Sequence, residues 1–229
     1  MIGLLGGTFD PIHFGHLRAA LDCLQGLDLE QVRFIPLRIA VHRPQPLATT
    51  EQRLAMLEAA LADEPPFVLD RRELHRDGPS YTLDTLRSLR AELDAERPLC
   101  LLIGADAYGG FLDWHRPLEI LELAHLVVMR RPGHDPVASP ALRQLYLERV
   151  CEEPRCLAER PGGRILFQTL TQLDISSTRI RELIALGRRP RYLLPDTVLA
   201  YIERERLYGG ASRCTHTQPC HPDVRHTTP

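Results

Sequence analysis

The stretch IGLLGGTFDPIHFGH, from Ile2 to His16, decides the fold of this chain. It opens with the short apolar run Ile2 to Leu5, which is typical of a strand that is buried on both faces of a sheet. Gly6 and Gly7 follow at once, and a helical pattern begins near Phe14. A strand, a glycine turn and a helix in this order predict the first unit of an α/β fold.

The same alternation continues along the chain and predicts a parallel sheet with right-handed crossovers, flanked by helices. Thr49 and Gln52 form a possible capping box before one of the helical patterns. Six runs read as strands: Ile2 to Leu5, Val32 to Pro36, Phe67 to Leu69, Leu99 to Ile103, Leu126 to Met129 and Ile165 to Phe167. The helical faces are Leu17, Ala20, Leu21 and Leu24, then Leu54, Leu57, Glu58 and Leu61, with only Glu58 out of place, and the further helical segments are Tyr81 to Leu93 and Leu142 to Val150.

Beyond residue 175 the pattern becomes helical, with Pro195 placed where a first helical turn would start. We predict one domain over residues 1–210, whose part from about 175 to 208 is a small helical subdomain. Residues 211–229 have almost no apolar content and are expected to form a disordered tail. The tail contains four residues of metal-binding type, to which we assign no function: Cys214, His216, Cys220 and His221.

The composition and charge of the chain disfavour several classes of function. The 229 residues are 44% hydrophobic and 25% charged, with a net charge of -2, so no basic excess indicates nucleic-acid binding. No apolar run of membrane-spanning length and no signal peptide is evident, which favours a cytoplasmic protein without a membrane partner. The cysteines are scattered, and those in or beside apolar patterns are expected to be free thiols. The sequence does not specify the oligomeric state.

The residues after the first strand form a candidate phosphate site. Gly6 and Gly7 allow close approach of a ligand and positive φ angles, and the Asp10-Pro11 pair favours a turn. His13 and His16 are three residues apart, so both imidazoles lie on one face of the first helical turn. Together with the helix N-terminus they can bind a polyphosphate and stabilise charge on a transferred phosphorus. Neither a P-loop nor a G-x-G-x-x-G fingerprint is present.

The string GGTFDPIHFGH, residues 6–16, resembles the signature of the H-x-G-H nucleotidyltransferases, and within them the bacterial nicotinate-nucleotide adenylyltransferases. The resemblance covers about residues 1–208. It implies a Rossmann-like fold and adenylyl transfer from ATP, with Mg²⁺, to nicotinate mononucleotide, which gives deamido-NAD and pyrophosphate by in-line attack without a covalent intermediate. It assigns catalysis to His13, His16 and Arg181, and ATP binding also to Gly6, Gly7, Thr8 and Phe9.

Two later segments match the part of the family pattern that binds ATP. Gly104 and Asp106 follow the fourth strand and therefore fall on the same sheet edge as Gly6; Asp106 could bind ribose or help hold a metal, or it could be a buried helix cap. Ser176, Ser177 and Thr178 open a helix and precede Arg181. Helix N–H groups, hydroxyls and a guanidinium all suit phosphate. The sequence does not identify the metal ligands.

Other segments match the part of the family pattern that binds the phosphate acceptor, nicotinate mononucleotide. The resemblance places the basic pair His42-Arg43 near the phosphates and Arg131 at the edge of the mononucleotide site, although each could be a solvated surface residue. In the segment Ser80 to Leu86, Tyr81 and Thr82 would contact the mononucleotide, while Ser80 or Thr82 could also cap a helix. Trp114, the only tryptophan, lies in a Gly/Asp/Pro-rich loop, and the resemblance assigns it to stacking on the nicotinate ring, although a lone tryptophan is usually a core residue.

The acceptor half also departs from the family pattern, because Leu37 and Ala40-Val41 replace the Asn and the Pro-Pro pair that the family usually carries. Sister activities on nicotinamide mononucleotide or phosphopantetheine therefore stay open as alternatives. A non-catalytic nucleotide-binding regulator is a further alternative, against which the intact His13, His16 and Arg181 argue. A phosphate-ester hydrolase is disfavoured because no cluster that could activate water is evident.

Overall fold

A computed structural model describes residues 1–38, 45–130 and 139–209. It contains one six-stranded parallel sheet with helices on both faces. The strands are β1 (Ile2–Gly7), β2 (Gln31–Pro36), β3 (Phe67–Leu69), β4 (Leu99–Gly104), β5 (His125–Arg130) and β6 (Ile165–Thr169). The helices are α1 (Phe14–Gly26), α2 (Thr50–Leu61), α3 (Thr82–Glu92), α4 (Ala105–Gly109), α5 (Pro117–Leu123), α6 (Pro140–Arg149), α7 (Ser177–Ala185) and α8 (Asp196–Glu205), with short 3₁₀ helices at Phe111–Asp113, Pro154–Leu157 and Leu207–Gly209.

The strand order β3-β2-β1-β4-β5-β6 places the direction change of the sheet between β1 and β4. β1 pairs with β2 as far as Gly7, whereas its pairing with β4 ends at Leu4 and Leu101. The ends of β1 and β4 are therefore free to separate. A crevice at such a switch point is the usual ligand site of an open parallel sheet. All six predicted strands are confirmed.

Alternating side chains of the strands supply two apolar cores, one on each face of the sheet. On β4, Cys100 and Leu102 join the core that includes residues of α1, α2, α7 and α8. Leu99, Leu101 and Ile103 join the core under α3, α5 and α6. The helices of the C-terminal segment thus pack on the same face as α1 and help to position its N-terminus.

Two expectations about local structure are wrong in part. In α2, Leu57 and Leu61 are buried as predicted and the out-of-place Glu58 is exposed, but Leu54 is only half-buried, and the buried face also contains Arg53 and Met56. The capping box of Thr49 and Gln52 is present as predicted, but the helix is rotated so that an arginine faces inward. Trp114 lies in a loop as expected, at residues 114–116, but the stretch after β4 also contains the short helices α4 and α5, which were not predicted. At five and seven residues, they are too short for a clear 3.6-residue period.

The expectation of free thiols is also wrong in part. Cys23 and Cys100 are free and buried, but Cys151 and Cys156 form a disulfide with their Cα atoms 6.2 Å apart. The chain leaves α6 just before Cys151 and turns into the 3₁₀ helix at Pro154–Leu157, which brings the two cysteines together. Such a turn is not visible in a pattern of apolar spacing.

A buried histidine at the start of β5 holds the loop that precedes β6. His125 is fully buried, and its Nε2–H donates to the carbonyl oxygen of Arg160 at 2.9 Å. Its Nδ1 accepts the backbone N–H of Arg164 at 3.1 Å, which requires a neutral ring. Burial lowers the pKa of His125 to about 4.

We expect the free energy of unfolding to decrease on mild acidification. Because the folded pKa of His125 lies below the unfolded value, the unfolded chain binds more protons between those values, and stability falls as pH falls through that window. The loss attributable to this histidine is about 2 kcal/mol between about pH 7.5 and about pH 5, and His13, with a pKa of about 4, adds a comparable loss.

Urea unfolding of the parent chain and of His125→Gln at both pH values measures this effect. The variant should be less stable at neutral pH, since its flexible amide does not hold a donor and an acceptor at the positions of the two ring nitrogens, but its stability should depend less on pH. An equal pH dependence in the two proteins would show that His125 is not a source of the acid sensitivity.

Candidate active site

The turn after β1 packs tightly because of one glycine. A Cβ on Gly7 would lie 2.9 Å from the ring of Phe9, so only glycine allows this ring to fold back under the turn. Gly6 is exposed, with open space where its side chain would be. The expectation of positive φ at the glycines is wrong: the left-handed residue of the turn is Phe9, with a φ of 50°. Asp10 and cis-Pro11 then complete the predicted turn.

The two histidines lie at the start of α1 as their spacing predicts. His13 is the N-cap residue, and its ring stacks on that of His16 with 3.8 Å between centroids and 28° between planes. Gly15 makes room for this pair, because a Cβ there would lie 2.9 Å from the His13 imidazole. The ring of His16 also meets the edge of Phe9 at 5.2 Å. Both imidazoles are therefore held in place by packing.

Burial sets the charge of His13. The residue is 4% exposed, and desolvation lowers its pKa to about 4, so the ring is neutral near pH 7. Its Nδ1 has no hydrogen-bond partner within the described parts of the chain. A neutral imidazole still carries one N–H that it can donate to a phosphate oxygen.

The second motif, Ser176 to Arg181, packs directly against the signature turn, residues 6–13. The hydroxyl of Ser177 donates to the carbonyl oxygen of Pro11 at 2.9 Å. Arg181 donates from Nη1 to the carbonyl oxygen of Asp10 at 2.6 Å and from Nη2 to the hydroxyl of Thr178 at 3.2 Å. The guanidinium is thus held beside the signature turn, although 171 residues separate the two partners.

The remaining hydroxyl of this motif caps the helix. Ser176 is the N-cap of α7 and accepts the backbone N–H of Arg179 at 3.2 Å. Ser176 and Thr178 are both exposed. The N-terminus of α7 is therefore open to a ligand near the signature turn.

Gly104 and Asp106 lie at the end of β4, on the side of the crevice opposite the signature turn. Gly104 is the N-cap of α4, with open space where its side chain would be. Asp106 is exposed in the first turn of α4 and is not a buried cap. Its carboxylate is available to a hydroxyl or a cation.

The acceptor candidates form a second group around α3 and the segment after α4. Tyr81 is the N-cap residue of α3, and its ring lies 4.7 Å from that of His115. Trp114 is partly buried against Phe111, with 5.7 Å between ring centroids. The structure thus presents Trp114 beside the aromatic pair, with one part of its ring exposed.

Side-chain capping of α3, which the sequence left open, is not observed. Tyr81 is the N-cap and makes no side-chain cap hydrogen bond, and Thr82 is already inside the helix. The Ser80 hydroxyl instead accepts the backbone N–H of Arg38 at 3.1 Å, which ties this segment to the loop after β2. His42, Arg43 and Arg131 lie outside the described residues, as do Ala40-Val41 and the tail 211–229.

Sequence reasoning missed three polar residues beneath the site: Asp10 as a hydrogen-bond acceptor, Arg53 and Tyr208. Arg53 is 1% exposed and donates to the carbonyl oxygens of Thr8 and Leu37, each at 2.8 Å. The hydroxyl of Tyr208 donates to Asp10 Oδ1 at 2.8 Å. Arg53 shares the three- and four-residue spacing of Met56 and Leu57, which was the available signal for an inward arginine.

Comparison with known proteins places this geometry in a family. The Cytidylyltransferase-like family profile matches residues 4–183. A curated protein of Methylococcus capsulatus, named a probable nicotinate-nucleotide adenylyltransferase, is 50% identical over 209 residues, which cover 91% of this chain and 99% of the relative. The chain belongs to the cytidylyltransferase-like family and, within it, to the nicotinate-nucleotide adenylyltransferases.

Other comparisons agree with this membership. A probable nicotinate-nucleotide adenylyltransferase of Pseudomonas syringae is 48% identical, with 90% of this chain and 93% of the relative covered. The Plasmodium falciparum nicotinic acid mononucleotide adenylyltransferase complexed with NaAD superposes with a TM-score of 0.69 at 16% identity, covering 90% of this chain and 96% of that chain. At that identity the likeness concerns the fold alone, and it confirms the Rossmann-like sheet.

Proposed function

We propose that this chain transfers the adenylyl group of ATP to nicotinate mononucleotide, giving deamido-NAD and pyrophosphate in NAD biosynthesis. The observation that carries the proposal is the contact of Arg181 and Ser177 with the turn that presents His13 and His16. This contact brings residues 6–16 and residues 175–181 together beside the crevice between β1 and β4, which supports the proposal that they bind the same phosphates. The proposed domain is residues 1–210.

In the proposed reaction, a phosphate oxygen of the mononucleotide attacks the α-phosphorus of ATP. The new P–O bond forms as the bond from the α-phosphorus to the bridging oxygen breaks, and the electron pair leaves with pyrophosphate. No protein nucleophile takes part. Catalysis then consists of positioning the two phosphates in line and stabilising the charge that develops between them.

The residues divide between the two substrates. Gly6, Gly7, Thr8 and Phe9 would line the ATP phosphates with backbone groups, while His13, His16 and Arg181 donate to the oxygens that gain charge. Gly104, Asp106 and the start of α7 complete the ATP half. Trp114, Tyr81 and Thr82, together with His42, Arg43 and Arg131, are proposed for the mononucleotide.

A divalent ion fits this site only if the substrate phosphates supply some of its ligands. Among the described residues, no group of three or more His, Cys, Asp or Glu side chains could hold a metal ion. Mg²⁺ commonly binds one or two carboxylates together with substrate phosphates, and the exposed Asp106 suits that role. Asp10 does not, because its carboxylate already accepts three hydrogen bonds. When bound, the ion would neutralise charge on the departing pyrophosphate.

The other expectations about partners and location stay predictions from composition: no nucleic acid, no membrane and a cytoplasmic location. In the described residues, no helix combines the length and apolar character needed to cross a membrane.

One assay separates the candidate activities. The protein is mixed with ATP, Mg²⁺ and either nicotinate mononucleotide, nicotinamide mononucleotide or phosphopantetheine, and pyrophosphate is followed. We expect rapid release with the nicotinate substrate. Preference for another acceptor would correct the substrate, and nucleotide binding without pyrophosphate from any acceptor would favour the regulator.

Replacing Trp114 should weaken mononucleotide binding. Loss of one stacking surface is expected to raise the KM for nicotinate mononucleotide about tenfold in Trp114→Ala, with a small effect on the KM for ATP. Steady-state kinetics with each substrate varied in turn measures this split.

Trp114→Phe is the conservative comparison and should recover most of the affinity, because it retains an aromatic face. Thermal unfolding of both variants reports the loss of packing against Phe111 separately. An unchanged KM for the mononucleotide in Trp114→Ala would refute ring stacking.

A further inference from the structure

A buried carboxylate lies behind the start of α3. Glu73, in the turn between β3 and α3, is 4% exposed, and its Oε1 accepts the hydroxyl of Thr85 at 2.6 Å. Thr85 is itself buried and lies three residues into α3. A carboxylate is costly to bury unless hydrogen bonds or an opposite charge compensate it. The contacts that compensate Glu73 therefore indicate which part of the structure it serves.

The hydroxyl of Thr85 has two acceptors within reach. Besides Glu73 Oε1 at 2.6 Å, the carbonyl oxygen of Tyr81, four residues earlier, lies 3.4 Å away. A hydroxyl carries one hydrogen, and the shorter distance assigns it to Glu73. The Tyr81 carbonyl is then left to the backbone N–H groups of Asp84 at 3.1 Å and Thr85 at 3.3 Å. Glu73 thereby keeps a side-chain hydroxyl from competing for the first carbonyl of α3, a competition that often bends helices.

Arg76 supplies the opposite charge. Its Nη2 donates to the Tyr81 carbonyl at 3.4 Å, and its Nη1 donates to the Thr85 hydroxyl at 3.5 Å. Burial raises the pKa of Glu73, whereas the hydrogen bond from Thr85 and the charge of Arg76 lower it, so the cation supports the buried carboxylate. These three residues, Glu73, Arg76 and Thr85, form what we call the Glu73 cluster. Their contacts converge on Tyr81, the N-cap of α3.

The Glu73 cluster lies next to the acceptor candidates and not next to the phosphate motifs. The ring of Tyr81 lies 4.7 Å from that of His115, and Thr82 is the first residue of α3. Among the described residues, no side-chain hydrogen bond of the cluster goes to the signature turn or to the second motif. A change in the cluster should therefore act first on Tyr81 and Thr82.

We propose that Glu73 is a positioning residue for the phosphate acceptor, acting through Thr85 on the start of α3. This proposal rests on the proposed function, in which Tyr81 and Thr82 contact the mononucleotide. Glu73 is buried behind the helix and does not touch the reacting atoms. Without its carboxylate, the Thr85 hydroxyl turns to the Tyr81 carbonyl, and the start of α3 moves out of its binding position.

Glu73→Ala tests the proposal by the division of its effect between the substrates. We expect the KM for nicotinate mononucleotide to rise about tenfold, with the KM for ATP within about twofold and kcat within about threefold of the parent, as for lost acceptor binding. Hydrogen exchange at the backbone amides of Asp84 and Thr85, which bond to the Tyr81 carbonyl, should become faster. Glu73→Leu fills the vacated space and should show the same division, so the test does not depend on the stability of the alanine variant.

Two further variants examine the route through Thr85. Glu73→Gln should keep the acceptor KM within about threefold of the parent, because its amide oxygen can still accept the Thr85 hydroxyl. Adding Thr85→Val to Glu73→Ala removes the competing hydroxyl and should return the acceptor KM to within about threefold of the parent, although the lost packing is not restored.

Glu92→Ala is the matched control. It removes an exposed glutamate at the other end of α3, where the carboxylate pairs with Arg33 and Arg72, and it should leave both KM values unchanged. Equal changes in both KM values of Glu73→Ala, or a lower melting temperature with an unchanged acceptor KM, would overturn the positioning role. An acceptor KM in the double variant as high as in Glu73→Ala would overturn the route through Thr85. A parent chain that releases no pyrophosphate with any acceptor would instead refute the proposed function, and the positioning role with it.

Discussion

Replacing His16 with alanine is expected to lower kcat by about 10²-fold or more, the scale for losing one preorganised donor to a developing charge. The His16 ring is fixed by the stack on His13 and by the edge of Phe9, so it needs no reorganisation when the α-phosphate becomes more negative. A donor that acts mainly in the transition state should affect kcat far more than the KM for ATP.

Single-turnover and steady-state rates of pyrophosphate release measure this effect. His75→Ala is a suitable control, because His75 is an exposed histidine after β3 and lies outside the proposed site. The control should retain the parent kcat. If kcat of His16→Ala stays within about twofold of the parent, His16 has no part in the chemistry.

Replacing Arg181 with alanine is expected to lower kcat/KM for ATP by about 10²- to 10³-fold. Arg181 is a partly exposed cation that two hydrogen bonds hold in place, on the Asp10 carbonyl and on Thr178. Its guanidinium is therefore already oriented beside the proposed phosphate site. Lysine at this position should recover only part of the activity, since an ammonium lacks the planar fork that binds two phosphate oxygens.

Arg179 offers a control on the same helix. It is exposed and pairs with Glu182 at 3.4 Å, so Arg179→Ala removes the same charge without touching the signature turn. We expect its kcat/KM to stay within about threefold of the parent, as for the loss of an exposed ion pair. Similar losses in Arg179→Ala and Arg181→Ala would mean that net charge, and not the placement of Arg181, supports the reaction. Thermal unfolding of both variants separates a folding defect from a loss of catalysis.

Much of the fold depends on patterns of a few neighbouring residues and can therefore be predicted from the sequence. Short apolar runs bounded by polar segments correctly indicate all six strands, because strands covered on both faces are apolar throughout. The stack of His13 on His16 also follows from spacing, since residues three apart are neighbours on a helix. The helices at 105–109 and 117–123 were missed because burial of a few side chains, and not a sustained period, stabilises them.

The spacing of residues along the sequence does not by itself predict how the candidate site is assembled. The second motif could be expected near the phosphates, yet the bond between Arg181 and the Asp10 carbonyl depends on how α7 packs beside α1. The inward orientation of Arg53 depends on the carbonyl oxygens of Thr8 and Leu37, which come from two different loops. The contact of Tyr208 with Asp10 is visible only once residues 207–209 have returned to the turn after β1.

By itself, the sequence determined which groups are available to bind phosphate and the local structure around them. These are a strand, a glycine turn and two histidines at a helix start, followed much later by hydroxyls and an arginine at another helix start. These features depend on neighbours within a few residues, so they do not require knowledge of the tertiary fold. Only the tertiary structure decided that β1 and β4 separate beyond Leu4, that Arg181 lies on the signature turn, and that Asp10 joins α2 to Tyr208. Those outcomes depend on the packing of two cores built from all parts of the chain, and no local pattern records that packing.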